Sequence, residues 1–380
     1  MSTIKVNSIV PPNVGEGVTI DGLQMPTAGA FSNRNMIING GMTVSQRATS
    51  VEPITSTSTY RTVDRYRQFI NGLGTWTLEQ HASGPTGFKN SYRVTCTVAN
   101  ASPAAGAYMF IRYGVEKQDL QRLAWGTADA KECTLSFWVK SNRTGTASLA
   151  LMYTQTNTSG MTKTYTINTA NTWEYKTITF PANTVSESNA ADTGTGVWVE
   201  WWLNGGSTYS GGTANTTFGA IADNSRNPTN YGLGTNVNDE FYITGIQLEV
   251  GSKATPFEHE SYGQTLAKCQ RYCYKINVDA GFHFVNCMAY NASLVFGSID
   301  FPVQMRSRPT IMTPSGAAGD YRITSFSAQV ACTSLPSLNG SSIQSGQILF
   351  TSTGNVSTGY ATMGTAGGNI TIIFDGGSEL

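Results

Sequence analysis

A strict alternation of apolar and polar side chains in the middle of the chain constrains the fold more than any other feature. Leu135, Phe137 and Val139 are separated by Ser136 and Trp138. A period of two places neighbouring side chains on opposite faces of a β-strand, whereas a helix needs a period of about 3.6 residues. Similar strand-like patterns return in the segments 149–153, 173–180, 197–202 and 241–250. The chain is therefore predicted to be all-β.

The segments between these strands indicate how the strands are connected. They are rich in Gly, Asn, Ser and Thr, as in antiparallel sheets joined by turns and loops. We therefore predict an antiparallel jelly roll, a form of β-sandwich, over residues 31–258. One short helix is expected at Gln118–Trp125, a β-bulge at Gly245, and a long surface loop over Gly205–Asn238.

The rest of the chain predicts three further parts. Residues 1–30 are broken by prolines and glycines into short extended pieces that bury too little surface to be stable alone. The apolar residues of this segment are candidates for anchoring the chain to a neighbouring protein: Ile4, Val6, Ile9, Val18 and Ile20. A connecting helix is expected within residues 259–277. Residues 278–380 return to strand-like patterns and predict a smaller C-terminal β-sandwich domain.

Charge and composition exclude several classes of protein. Charged residues make up only 13% of the chain, and 24 Lys and Arg balance 24 Asp and Glu. Nucleic-acid binding needs a basic surface, so no nucleic-acid partner is expected. No apolar run approaches the roughly 18 residues of a membrane-spanning helix, so no membrane insertion is expected. The six cysteines are interpreted as buried apolar side chains in a reducing cytosol.

The sequence contains no recognisable catalytic or cofactor-binding motif. It has no Gly-rich phosphate loop, no dinucleotide fingerprint and no pair of histidines at metalloprotease spacing. We therefore expect no cofactor and no enzymatic activity, although Asp239 and Glu240 leave a structural calcium ion open. Glu200 leaves glycan hydrolysis open, since that reaction needs only two carboxylates and a carboxyl group beside indole rings can have a raised pKa.

Tryptophan side chains are the most informative candidates for ligand contacts. Trp138, Trp198 and Trp202 fall on the strand faces opposite the aliphatic residues of their own strands. Indole rings stack on the apolar face of a pyranose, while neighbouring polar groups bind its hydroxyls. We therefore identify Trp138, Trp198, Trp202 and Glu200 as candidate glycan-binding residues. The alternative is that these rings belong to the core, because both faces of a sandwich strand can be covered.

Several stretches of the chain carry a resemblance to known proteins. They are Ser2–Ile9, Asn33–Arg47 followed by Asp64–Tyr66, Ile243–Ser252 followed by Ala254–Glu258, Cys269–Lys275 and the ending Gly368–Leu380. As a set they resemble bacteriophage tail-fibre and minor virion structural proteins that contain a jelly-roll domain similar to carbohydrate-binding modules.

This resemblance implies a virion protein that attaches to the particle through residues 1–30 and contacts host surface glycans through its β-sandwich modules. It also implies assembly in the bacterial host cytoplasm and a tail-fibre location in the virion. The chain would form a homo-oligomer, most often a trimer, with other tail or adaptor proteins as partners. Two alternatives remain open. One is a purely structural virion protein, such as a head decoration or tail spacer, and the other is a polysaccharide depolymerase.

Overall fold

The architecture is seen in a computed structural model that describes residues 19–20, 23–24, 32–153, 159–185, 192–325, 328–354 and 356–375. These residues form far more β-strand than helix, which confirms the predicted all-β class. They divide into two compact units, one comprising Met1–Ser261 and the other Tyr262–Glu379.

Only a small part of the predicted N-terminal anchor belongs to the described residues. Thr19–Ile20 (β1) pairs antiparallel with Leu23–Gln24 (β2), so the backbone of Ile20 is extended. The other anchor candidates lie outside the described residues: Ile4, Val6, Ile9 and Val18. Attachment through this segment therefore stays a prediction.

The first unit is a β-sandwich. Its further strands are β3 Ser50–Ile54, β4 Thr57–Tyr60, β5 Tyr66–Asn71, β6 Thr75–His81, β7 Ser91–Val98, β8 Tyr108–Glu116, β9 Cys133–Ser141, β10 Gly145–Tyr153, β11 Ser159–Ile167, β12 Glu174–Phe180, β13 Thr195–Gly205, β14 Gly219–Ala220 and β15 Glu240–Val250. A seven-stranded sheet has the order β14-β11-β10-β13-β8-β5-β4, and a six-stranded sheet the order β12-β9-β15-β7-β6-β3. The pairings between these strands are antiparallel, as the predicted jelly roll requires.

The alternation seen in the sequence is the reason that the two sheets face each other. On β9, Leu135, Phe137 and Val139 are completely buried, and Val199 and Trp201 on β13 are completely buried in the same hydrophobic core. Removing this apolar surface from water is the main favourable contribution to folding. The period of two therefore predicted correctly which side of each strand faces inward.

A β-bulge interrupts β15 at the predicted glycine. The register with β9 shifts between Thr244 and Gln247, and Gly245 has a φ of +62°. A Cβ atom at this position would lie 2.8 Å from Cζ of Phe88 and 2.9 Å from Cδ1 of Trp138. Both the left-handed backbone and the close approach of two rings therefore require glycine.

The helix predicted at Gln118–Trp125 is shorter than expected. The α-helix α1 spans Lys117–Leu120 and continues as a single 3₁₀ turn over Gln121–Leu123. It ends because Ala124 takes a left-handed conformation, with a φ of 48°.

Two of the stretches that carry the phage resemblance meet in the fold. Asn35 donates from Nδ2 to the carbonyl oxygen of Ile246, and its Oδ1 accepts from the amide of Leu248. The carboxylate of Glu258 accepts from the backbone amides of Asn33 and Asn35. These residues hold the beginning and the end of the first unit against each other, so their role here is structural.

The second unit contains a helix followed by two sheets. Its elements are α2 Tyr262–Gln270, β16 Tyr274–Val278, β17 His283–Ala289, β18 Leu294–Asp300, β19 Ile311–Pro314, β20 Tyr321–Thr324, β21 Gln329–Ala331, β22 Ser337–Ser341, β23 Ser345–Thr351, β24 Ala361–Ala366 and β25 Ile370–Asp375. The strand orders are β16-β25-β19 and β21-β20-β24-β17-β18-β23-β22. Ile348, Phe350, Ile372 and Phe374 are completely buried in the core of this unit.

The cysteines behave as apolar side chains, as predicted. All six are buried, and none forms a disulfide within the described ranges. Burial raises the pKa of Cys96 to about 11 and the pKa of Cys287 to about 12, which keeps both thiols protonated at neutral pH. Separately, no helix in the described part of the chain has the length and apolar character needed to cross a bilayer.

Candidate functional site

The four candidate glycan-binding residues lie on the outer faces of two different sheets. Trp198, Glu200 and Trp202 follow one another on β13 of the seven-stranded sheet, whereas Trp138 lies on β9 of the six-stranded sheet. We call the outer face around the first three the Trp202 face and the outer face around the fourth the Trp138 face. All four side chains point away from the core between the sheets, but they do not form one site.

Glu200 is the centre of a buried ion-pair cluster on the Trp202 face. Its Oε1 accepts a hydrogen bond from Nε of Arg112, directly opposite on β8, at 2.9 Å. Nη2 of Arg226, from the loop after β13, lies 2.9 Å from both carboxylate oxygens. Nε1 of Trp202 donates to Oε2 at 3.0 Å. The carboxylate is therefore fully engaged by groups of this chain.

The possibility that Glu200 has a raised pKa is wrong. Burial by itself raises the pKa of this carboxyl group, but the guanidinium groups of Arg112 and Arg226 outweigh burial, and the pKa is lowered. Glu200 is therefore ionised at neutral pH and cannot donate a proton as a general acid. Its side chain is also completely buried, so it is not a surface carboxylate that a sugar would meet.

Trp202 is covered by the long loop that the sequence predicted at Gly205–Asn238. The guanidinium of Arg226 lies 5.3 Å from the centre of the Trp202 ring, and the ring of Tyr209 lies 5.7 Å away. Ile221, from the same loop, packs into the same apolar cluster. Trp202 has no exposed surface, so it is not available to a ligand in this structure.

Trp198 is more open than Trp202 but is partly occupied. Cζ of Arg112 lies 4.0 Å from the centre of its ring and 4.5 Å from the centre of the Phe69 ring. Trp198 is half-buried as a result. A sugar would have to share this ring with Arg112.

The Trp138 face presents several aromatic rings side by side. Trp138 lies directly opposite Tyr175 on β12, and the two ring centres are 5.2 Å apart. Trp173, immediately before β12, lies 6.0 Å from Tyr242 on β15. Tyr175 is 43% exposed, and Trp138 and Trp173 are half-buried. Among the described residues, neither indole N–H of these two tryptophans has a hydrogen-bond acceptor.

Polar and charged groups continue the same face towards β7 and β6. Arg93 lies opposite Tyr242, and its Nε is 2.8 Å from Oε2 of Glu79. The hydroxyl of Tyr242 donates to Oε2 of Glu240 at 2.8 Å, and burial together with this carboxylate raises the pKa of Tyr242 to about 12. Nζ of Lys140 lies 4.1 Å from the centre of the Tyr242 ring. Rings and hydrogen-bonding groups therefore alternate across the sheet.

Sequence reasoning found one residue of this surface and missed the rest. Lys140, Trp173, Tyr175 and Tyr242 all lie on the outward phase of strands that the alternation had identified. Listing the outward-facing residues of each predicted strand would therefore have identified these four as candidate ligand contacts. The order and register of the strands, which bring them together, cannot be read from the period alone.

Asp239, considered above as a calcium ligand, is engaged by groups of the chain itself. Its Oδ2 lies 2.8 Å from Nη1 of Arg143 and accepts from the amides of Gly234 and Asn236. In the described ranges, no group of three or more His, Cys, Asp or Glu side chains is arranged to hold a metal ion.

No protein-family model matches the chain, and no curated protein sequence matches it. Solved structures do match. The enzymatically active domain of tailspike protein 4 from bacteriophage CBA120 has 12% identity and a TM-score of 0.29, over 57% of this chain and 21% of that chain. A family 11 carbohydrate-binding module of a Clostridium thermocellum cellulosomal cellulase has 11% identity and a TM-score of 0.27, over 55% of this chain and 98% of the module.

The CBM22-2 xylan-binding domain of Xyn10C from Paenibacillus barcinonensis gives a similar result, with 13% identity and a TM-score of 0.27 over 48% of this chain and 91% of that domain. Likenesses this weak carry no conclusion about function. The assignment of a β-sandwich rests on the two sheets of the chain itself.

Proposed function

We propose that this chain is a non-enzymatic bacteriophage virion protein whose first unit binds glycans on the Trp138 face. The observation that carries the proposal is the group of adjacent, partly exposed rings of Trp138, Trp173 and Tyr175, next to side chains that donate and accept hydrogen bonds. Flat aromatic faces bury the C–H surface of a pyranose, and the neighbouring polar groups replace water at its hydroxyls.

Binding without cleavage fits the chemistry of the carboxylates better than hydrolysis does. A glycoside hydrolase needs an acid that is protonated and faces the substrate. Glu200, the acid considered for this role, is ionised, buried and paired with two arginines. The depolymerase alternative therefore loses the residue on which it depended.

The virion part of the proposal rests on the sequence resemblance. We propose that the chain attaches to the virion through residues 1–30 and is located in a tail fibre. We also propose that it assembles as a homo-oligomer, with a trimer favoured, and that its partners are other tail or adaptor proteins. Several linked sites on one particle would raise the effective affinity for a host polysaccharide by about 10²–10⁴ over a single weak site.

The test is binding of the full chain to a panel of immobilised bacterial surface polysaccharides. The double variant W138A/W173A should lose most of its binding because the stacking rings are removed. Trp198→Ala, which removes a half-buried tryptophan from the opposite outer face, is the matched control and should bind like the unmodified chain. Binding that survives the double substitution, in a protein with unchanged circular dichroism, would place the site elsewhere.

A purely structural role is the second candidate, because the second unit exposes large apolar side chains. Met288 is 58% exposed, and Tyr290 and Tyr360 are each 65% exposed. Exposed apolar groups favour contact with another protein. If the unmodified chain bound no polysaccharide while Tyr290→Ser or Tyr360→Ser prevented its incorporation into particles, the structural role would replace the glycan-binding proposal.

A further inference from the structure

Lys140 differs from the other charged residues of the Trp138 face in having no polar partner. Its ammonium lies over two rings, 4.1 Å from the centre of Tyr242 and 5.3 Å from the centre of Trp173. No hydrogen bond or ion pair to this nitrogen exists within the part of the chain that the structure describes. The residue is half-buried, so the ammonium has lost part of its hydration, and the carboxylate of Glu240 attracts it without forming an ion pair.

The nearest carboxylates are already engaged by other groups. Nε of Arg93 lies 2.8 Å from Oε2 of Glu79, and its Nη2 lies 3.8 Å from Oε1 of Glu240. The other carboxylate oxygen of Glu240, Oε2, accepts a hydrogen bond from the hydroxyl of Tyr242. The two positive charges of Lys140 and Arg93 equal the two negative charges of Glu79 and Glu240, so these four residues have no net charge. Attraction of an anion would therefore come from Lys140 at short range and not from the charge of the whole face.

The ring of Trp173 lies on the β12 side of Lys140, at the edge of the six-stranded sheet. The outward residues of β12 on this side are Tyr175, Thr177 and Thr179, and none of them is acidic. A sugar ring stacked on Trp173 or Trp138 would therefore bring its substituents to Lys140 from the side of β12, whose outward positions carry no carboxylate.

We infer that the Trp138 face selects acidic glycans, and that Lys140 binds the carboxylate of a uronic acid or similar sugar stacked on the neighbouring tryptophans. This inference rests on the proposed glycan-binding function. A charge-assisted hydrogen bond to a carboxylate is stronger than a bond between neutral groups, and it would give the ammonium a carboxylate in direct contact, which Glu240 does not provide. The tryptophans would then hold the sugar ring, and Lys140 would decide which sugar is held.

The experiment compares acidic polysaccharides with their own carboxyl-reduced forms. Polygalacturonate, alginate and hyaluronan are each converted in part to the neutral polymer, and binding of the full chain to every form is measured by affinity electrophoresis at one fixed, low salt concentration. We expect at least one acidic polymer to bind about tenfold more tightly than its reduced form. Lys140→Gln should remove this preference, and Lys140→Arg should keep most of it.

Lys163→Gln, at a half-buried lysine on β11 of the other sheet, is the matched control and should leave the preference unchanged. The inference would be overturned if acidic and reduced polymers bound equally, or if Lys140→Gln left the preference for acidic polymers intact. In either case W138A/W173A still tests whether the Trp138 face binds glycans. If neither the acidic nor the neutral polymers bind, the inference fails together with glycan binding to this panel. Binding that persists in W138A/W173A would refute the proposed face itself.

Discussion

Glu200 shows how strongly the surroundings of one residue decide its chemistry. In the sequence it stands among three tryptophans, a setting that can raise the pKa of a carboxyl group. In the fold, Arg112 approaches from the neighbouring strand and Arg226 from a loop, and the pKa falls. An apolar sequence neighbourhood therefore did not create an apolar environment, because the decisive partners are far away along the chain.

Glu200→Gln should destabilise the first unit by about 3–5 kcal/mol, because it leaves two buried guanidinium groups without their anion. The measurement is urea unfolding of the full chain followed by tryptophan fluorescence. Asp223→Asn is the control, since this carboxylate is 3.8 Å from the same Arg226 but its side chain is 57% exposed, and its loss should cost under about 1 kcal/mol. Similar unfolding midpoints for both variants would contradict the buried ion-pair cluster.

At the scale of secondary-structure elements, the loops and turns between strands determine which side chains each outer sheet face presents. The loop after β13 covers the Trp202 face, and the turn between β11 and β12 crosses from one sheet to the other. That turn is closed by Glu174, whose Oε1 accepts from the amides of Asn168 and Thr169 and whose Oε2 lies 2.6 Å from Nζ of Lys176. The turn delivers Trp173 and Tyr175 to the Trp138 face, so its rigidity bears on the candidate site.

The turn should make stability depend on pH in a defined window. Burial alone would raise the pKa of Glu174, but Lys176 and the turn amides prevail and lower the pKa from 4.5 to about 2. A lowered folded pKa means that the stabilisation is complete above pH 4.5 and is lost as the pH falls towards 2. Glu174→Gln should therefore cost about 1 kcal/mol at pH 7.

The measurement is the free energy of unfolding of Glu174→Gln and the unmodified chain between pH 7 and pH 2. The difference between the two proteins should shrink as the medium becomes acidic. Asp129→Asn, at an exposed side chain, is the control and should change the free energy of unfolding little across this range. A difference that stays constant across the acid range would show that the Glu174 carboxylate does not hold the turn.

At the scale of the whole molecule, the chain forms two units with separate hydrophobic cores. The first core contains Phe137 and Trp201, and the second contains Phe350 and Ile372, with no residue in common. Each core is built by alternating strands of its own unit. The residues that we propose for glycan binding all belong to the first unit.

Phe350→Ala should lower the unfolding temperature of the second unit, because truncating a fully buried phenylalanine costs about 3–5 kcal/mol. Phe137→Ala is the matched substitution in the first core and should shift a different transition in differential scanning calorimetry. Only the Phe137 variant should weaken polysaccharide binding through the loss of its supporting sheet. A single transition that both substitutions lower equally would show that the cores unfold together.

The sequence by itself determined the local features of this protein. Alternation within each strand predicted which side chains face the core between the sheets, because successive residues of a strand must point to opposite faces. Gly245 predicted the bulge, because a glycine inside a strand pattern readily adopts the left-handed conformation that a bulge requires. Both inferences depend only on residues that are adjacent in the chain.

Only the tertiary structure decided which of these faces presents a site. The order and register of the strands place Trp173, Lys140, Tyr242 and Arg93 in one row, although they come from separate segments. The loop after β13 buries Trp202 and pairs Arg226 with Glu200. Contacts between residues distant in the sequence set both outcomes, and a pattern of period two carries no information about them.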